Sequence, residues 1–325
     1  MTPARKSFAP LLRFAIGLAL IFLLLRAIGL ADIRSSLAPL RAHPAPVASA
    51  LALTFLALFA GAIRWHFILR TLGLPAAFSA TFRAFFVGQF FNAFLFGACG
   101  GDLARAVLAA RDHPEKRPEA VASVFLDRAI GLVITLVFGC ALLLLRLPDF
   151  LRHGQSIPAL ILMATFLLAA AAFLALFFSR DLFDRVEWLR RRQHRGLLLP
   201  LLRRVYDALF LFRRNARHLL WPAALSLANL LLLAASVAAL AKALLIHVAF
   251  VDLLVVFPVA TVLAAIPLTP GGIGVRETLF VQLLAPFAVP PGPALLLSVL
   301  SYLAASAWSL FGGILFAIPS RQSPP

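Results

Sequence analysis

Cysteine is scarce in this chain of 325 residues: Cys99 and Cys140 are the only two, each among apolar or small neighbours. Two such residues give neither a disulfide framework nor a metal ligand set, and both read as small packing residues. Charge is scarce too, at 13% of residues, and acid scarcer still, with 13 Asp and Glu against 30 Lys and Arg. No dense acidic motif results, which argues against a metal site and against metal-assisted catalysis. Gly272-Ile273-Gly274 lacks the third glycine and the βαβ context of a dinucleotide fingerprint, so no cofactor is expected. No small-x-small cleavage site follows the basic Arg5-Lys6 start, so the first apolar run reads as an uncleaved helix rather than a signal peptide.

What fills the chain is apolar sequence, 62% of it, in runs of about twenty residues that each suffice to cross a bilayer at about 1.5 Å per residue. The predicted fold is all-α, a polytopic transmembrane helical bundle forming a single domain over residues 1–325. Hydropathy marks full crossings at Leu11 to Leu30, Val47 to Leu69, Ala120 to Leu145, Ile157 to Phe178, Trp221 to Leu245 and Ala294 to Ile318. The formal charge of +17 raises nucleic acid as a partner. Its basic residues lie between apolar spans, however, as the positive-inside bias requires, so membrane lipid is the expected partner and nucleic acid is not.

Two further apolar regions, Phe82 to Ala110 and Leu253 to Ala288, are broken by glycine pairs with charges attached: Gly100-Gly101-Asp102-Leu-Ala-Arg105 and Pro270-Gly271-Gly272-Ile-Gly274-Val-Arg276-Glu277. Their halves are short for independent crossings and suit broken helices or re-entrant hairpins. Arg5, Lys6 and Arg13 place the amino end in the cytoplasm, and both termini are expected there. The basic segment 180–220 is read as a cytoplasmic loop, with eleven Arg between Arg180 and Arg217 against Asp181, Asp184, Glu187 and Asp207. Its interleaved apolar residues also fit an amphipathic surface helix on anionic lipid. On this count the two broken regions open from opposite faces, as an inverted pair.

Six charges sit in or beside apolar sequence: Asp102, Arg105, Asp127, Arg128, Arg276 and Glu277. Unpaired at the bilayer centre they would cost roughly 15 to 20 kcal/mol together, so pairing in an internal polar cluster is expected. Asp102 and Arg105, three apart, share a face if Asp102 caps a helix beginning after Gly101. Asp127-Arg128 and Arg276-Glu277 are neighbours about 100° apart, so their partners are expected on other helices. The glycines permit close backbone approach and leave N–H groups at a helix start facing a ligand such as phosphate. Gln89 and Asn92, just before the first break, are candidates for the same cavity. Arg64-Trp65 reads instead as a snorkelling and aromatic-belt pair outside the site.

Three ordered blocks, Phe86-Val-Gly-Gln-Phe-Phe-Asn92 leading to Gly100-Gly101-Asp102-x-x-Arg105, then Ser123-Val-Phe-Leu-Asp127-Arg128-x-x-Gly131, then Pro270-Gly-Gly-Ile-Gly-Val-Arg276-Glu277, resemble the membrane portion of the bacterial lysylphosphatidylglycerol synthase and flippase family. The resemblance implies a bacterial inner-membrane domain that moves or holds a phospholipid or an isoprenoid-type lipid. The chain reads Leu95-Phe96-Gly97 where the family often has a proline before its glycine, and no soluble aminoacyl-transferase domain is expected after Pro325. The expected function is therefore lipid binding or translocation without catalysis. Two alternatives stay open, a membrane enzyme acting on a lipid phosphate and a secondary transporter of a soluble solute.

Overall fold

The computed structural model describes residues 37–94, 100–152, 161, 164–169, 171–172, 216–265, 269, 272 and 274–318. The expected spans Leu11 to Leu30 and, for the most part, Ile157 to Phe178 lie outside the described residues, as do nearly all of the basic loop and Pro270 and Gly271 of the second glycine motif. The described residues are helical, with no strand among them. In chain order the helices are α1 (Pro44–Thr71), α2 (Phe78–Phe94), α3 (Gly100–Asp112), α4 (Arg117–Arg152), α5 (Ala216–Ala243), α6 (Phe250–Ala264), α7 (Val275–Leu284) and α8 (Pro291–Ala317). Stretches within α1, α4, α5 and α8 are long and apolar enough to cross a bilayer. The four others run 17, 13, 15 and 10 residues, about 15 to 25 Å, and fall short of a hydrocarbon core about 30 Å thick.

Each broken region is a helical hairpin. In the first, Asn92 meets Gly101 and Gly88 meets both Gly101 and Arg105, so residue numbers fall along α2 as they rise along α3 and the two run antiparallel. Glycine is required there: a Cβ on Gly101 would enter the Gly88 carbonyl oxygen, and one on Gly88 would enter the Arg105 side chain. In the second, Gly272 adopts a φ of +71° with its α carbon against Ala264 at the end of α6. Gly274, at φ +84°, then starts α7.

The order long, short, short, long occurs twice, and the two occurrences are in register. Pro44 and Ala216, Phe78 and Phe250, and Gly100 and Gly272 are each 172 residues apart. The turn after α1 closes with Gly73 N–H to Arg70 O and Leu74 N–H to Leu69 O; the turn after α5 closes with Leu245 N–H to Lys242 O and Ile246 N–H to Ala241 O, again 172 residues on. Both are Schellman caps, with Gly73 (φ +69°) and Leu245 (φ +57°) in the left-handed position.

The two halves are related by a two-fold axis. α1 and α5 form the most extensive helix pair, and Thr54 Oγ1 meets Ser236 Oγ at 2.8 Å while Arg64 Nη1 donates to Ser226 Oγ at 2.9 Å. Ser226 is the counterpart of Thr54 and Ser236 of Arg64, so the contact is returned by the equivalent residues, as a two-fold interface requires. Asn229 Nδ2 donates at 2.6 Å to the carbonyl of Ala57, its own counterpart, close to the axis. The helices run antiparallel, so the axis lies across them, and two membrane-crossing helices related this way belong to inverted halves. The halves also interlock: α8 packs on α2 and α4 on α6, so each hairpin is held by the other half's last helix. The apolar core follows this exchange, one cluster joining α4 to α5, α6, α7 and α8 and another joining α1 to α2, α3 and α4.

Candidate functional site

The first half builds a charged network around Asp127 on α4, which is buried. Oδ1 accepts from Arg64 Nε at 2.7 Å and Oδ2 from Arg105 Nη2 at 2.9 Å. Asp102 sits beside them, 3.8 Å from Arg105 Nη1 and 2.6 Å from Arg128 Nε. Among the described residues the network therefore ties α1, α3 and α4 together through three guanidiniums and two carboxylates. Of the three guanidiniums Arg105 lies deepest, 4% exposed, with its guanidinium 4.2 Å from the Trp65 ring centroid and 4.9 Å from that of Phe85. Cation–π contact supplies the faces of a group whose edges the carboxylates take. Its Nε has no partner among the described residues.

Arg64 and Trp65 thus belong to the site, contrary to their reading as an interfacial pair. Trp65 is buried, donating from Nε1 to Ser123 Oγ at 3.1 Å. Hydropathy placed them near a span end, but they sit where α1 meets the hairpin and α4, and a buried acid is a stronger claimant for an arginine than a lipid interface.

Three of the glycine N–H groups, those of Gly101, Gly272 and Gly274, are already engaged within the protein rather than facing a ligand. Gly101 N–H donates to Asn92 Oδ1 at 2.8 Å, so Asn92 on α2 caps α3 across the break. Asp102 consequently sits in the first turn of α3, which begins at Gly100, rather than capping a helix that starts after Gly101. Gly272 N–H donates to Thr269 O at 3.2 Å and Gly274 N–H to Glu277 Oε2 at 2.6 Å.

The second half carries a smaller network. Glu277 Oε1 accepts from Arg276 Nη2 at 2.7 Å and from Ser298 Oγ at 3.2 Å, and Arg276 lies 4.6 Å over the Tyr302 ring. Arg276 and Glu277 pair with each other, against the expectation that helix neighbours look elsewhere. Glu277 folds back to cap α7 through Gly274, and the long Arg276 side chain spans the remaining angle. Asp127-Arg128 does separate as expected, Asp127 to Arg64 and Arg105, Arg128 to Asp102. A third pair escaped the sequence reading: Arg146 of α4 meets Asp252 at the start of α6 at 2.7 Å, joining the halves. Its signal was Arg146 closing the run Leu142 to Leu145, a charge as conspicuous as those beside the glycines.

Between α4 of the first half and α5 and α6 of the second lies a cavity of about 490 Å³. Arg64 and Arg128 stand in its wall with Ser226 and Asn229, while Phe125, Leu132, Leu230, Leu233, Phe257 and Val262 make the rest of it largely apolar. Gly131 lines it beneath Arg64, where a Cβ would lie 3.1 Å from Nη1. Gln89 is not in this wall, but its counterpart Thr261 is. A family model described as the lysylphosphatidylglycerol synthase TM region matches residues 11–312. The chain belongs to this family. A UPF0104 membrane protein of Methanothermobacter thermautotrophicus is 26% identical to it over 323 residues, spanning 94% of this chain and 93% of that protein. This is accordingly a multi-pass helical membrane protein.

Proposed function

We propose that the protein binds and translocates an amphiphilic membrane lipid with an anionic headgroup, a phospholipid or an isoprenoid-type lipid. The observation that carries this reading is the shape of the cavity's chemistry: two guanidiniums and four neutral hydrogen-bonding side chains, Thr135, Ser226, Asn229 and Thr261, set in a wall whose other members are apolar or glycine. Arg64 and Arg128 enter the cavity as members of the Asp102 and Asp127 network, and a phosphodiester is an anion that guanidinium donors hold by charge-assisted hydrogen bonds. The apolar wall accepts the first part of the tail. Gly100, Gly101, Asp102 and Arg105 set the arginines, and Arg276 and Glu277 hold the second hairpin.

Transport suits these residues better than catalysis. Asp127 places both oxygens on guanidiniums and Glu277 places its own on Arg276, Ser298 and a backbone N–H, so neither offers a lone carboxylate to a metal or a reacting phosphate.

The test is leaflet-resolved movement of fluorescent phosphatidylglycerol in proteoliposomes. Arg128→Gln removes the half-exposed cavity guanidinium and slows movement roughly tenfold, the worth of one charge-assisted hydrogen bond of about 1.5 kcal/mol. Equal rates for wild type, Arg128→Gln and Asp102→Ala, at equal amounts of folded protein, would remove the assigned role.

A further inference from the structure

The two-fold axis sends every wall of the open cavity to a second place in the molecule, and that place is shut. Phe257, Thr261 and Leu233 line the cavity; their counterparts 172 residues earlier are Phe85, Gln89 and Gly61. Phe85 is buried with its ring tip 2.8 Å from where a Gly61 Cβ would stand, so this ring fills the space that Leu233 and Phe257 leave open in the other half.

The helices around this second place are also drawn tighter. On the closed side, Gly312 of α8 lies against the Phe86 carbonyl of α2, close enough that any Cβ would overlap it, and Tyr302 Oη donates to Ala93 O at 3.2 Å. On the open side the equivalent stretch of α6 meets Gly139 of α4, where an ideal Cβ would lie 3.0 Å from Phe166 and 3.3 Å from Pro258, the counterpart of Phe86, both contacts to side chains rather than backbone. Equivalent seams of an inverted repeat, one packed backbone to backbone and one holding a cavity, are the two forms that rocking one half against the other exchanges.

We infer that the α2–α8 seam is a second binding cavity in its closed form, opening when the α4–α6 seam closes. This rests on the proposed lipid function and gives the headgroup its second station. Arg64 maps to Ser236 there and Thr261 to Gln89, so the second cavity offers neutral hydrogen-bonding groups, Thr54, Gln89 and Ser236, in place of the arginine. The same amphiphile's polar end is held by charge at one station and by neutral hydrogen bonds at the other.

Cysteine accessibility reads this without any lipid movement. In a background with Cys99 and Cys140 replaced by alanine, Thr261→Cys and Gln89→Cys are labelled with a membrane-impermeant maleimide from either face of sealed vesicles. Thr261→Cys reacts from one face and Gln89→Cys, more slowly, from the other. Gly312→Leu wedges the closed seam: Gln89→Cys labelling rises and Thr261→Cys labelling falls, by roughly tenfold in their ratio, the population change a bias of about 1.4 kcal/mol produces. Gly139→Leu wedges the open seam and moves the ratio the opposite way.

Labelling of both cysteines from the same face overturns the inference, as does a ratio that neither wedge moves. So does a rise at both sites with either wedge, since that is loosening of the fold rather than exchange of seams. Failure of the lipid function shows differently: the labelling exchange persists while Arg128→Gln leaves phosphatidylglycerol movement unchanged.

Discussion

Where α2 lies on α8 the molecule is packed with phenylalanine: Phe82, Phe86 and Phe311 meet with ring centroids 4.5 to 6.4 Å apart, and Phe55 of α1 meets Trp308 at 4.8 Å with the rings tilted. Where α6 lies on α4, the contact runs through Pro258, Gly139 and Phe166, with the cavity beside it and the Arg146–Asp252 pair at one end. Equivalent backbones thus carry a dry aromatic seam on one side and a polar-ended hollow on the other. The charges divide in the same sense. The first half's network holds three guanidiniums and two carboxylates, while the second half's holds one of each. A repeat that keeps its turns and its helix breaks but redistributes its charge has kept its mechanics and divided the work of holding a ligand.

The largest effect that tests this division is at Asp127. Asparagine there leaves Arg64 and Arg105 buried without their shared counter-charge, and breaking such a pair costs about 3 to 5 kcal/mol. Glu277→Gln in the second half removes one charge from a single partner, Arg276, which keeps Ser298 and the Tyr302 face, and costs about half as much. Thermal unfolding in one detergent ranks the two variants. Equal losses would show that the networks bear equal loads and end the claim that the first half is the charged one.

The extent to which the sequence disclosed this arrangement follows from the same residues. Four long helices were legible because apolar runs of about twenty residues have one stable form in lipid. The two hairpins were legible from the glycines, which are needed where the α2 and α3 backbones touch and where φ turns positive before α7. The repeat was not, because its evidence is spacing: the halves share helix order and cap hydrogen bonds, while Glu277 stands at the position equivalent to Arg105 and Ser236 at that equivalent to Arg64. Arg64, Trp65, Arg146 and Asp252 were missed for a related reason. Each lies on a helix of ordinary appearance, and only the packing of distant segments reveals what they contact.

A smaller effect sharpens the contrast between the seams. Gly312→Ala places a methyl in the Phe86 carbonyl and costs about 1 to 3 kcal/mol, the usual range for overpacking. Gly139→Ala meets side chains only, Phe166 and Pro258 at 3.0 and 3.3 Å, and costs less than about 1 kcal/mol. Unfolding midpoints of the two alanine variants decide it. A Gly139 variant as unstable as the Gly312 variant would mean that both seams are equally tight.

The smallest effect is at the axis, where the halves should not differ at all. Thr54→Val and Ser236→Ala each remove one side of an interhelical hydrogen bond, and in membranes such bonds average about 0.6 kcal/mol. The double variant should then cost little more than either single one, since in each single variant the remaining hydroxyl can give its one proton to the Ala50 carbonyl oxygen, 2.8 Å from Thr54 Oγ1 and 2.9 Å from Ser236 Oγ. Ser226→Ala removes the equivalent bond from the other end, but there its partner is Arg64, an ion already held by Asp127. Its loss stays within the same few tenths of a kcal/mol if the α1–α5 interface is symmetric in energy as it is in contact. A loss several times larger would show that the arginine end supports the seam alone, and that the axis relates positions without relating forces.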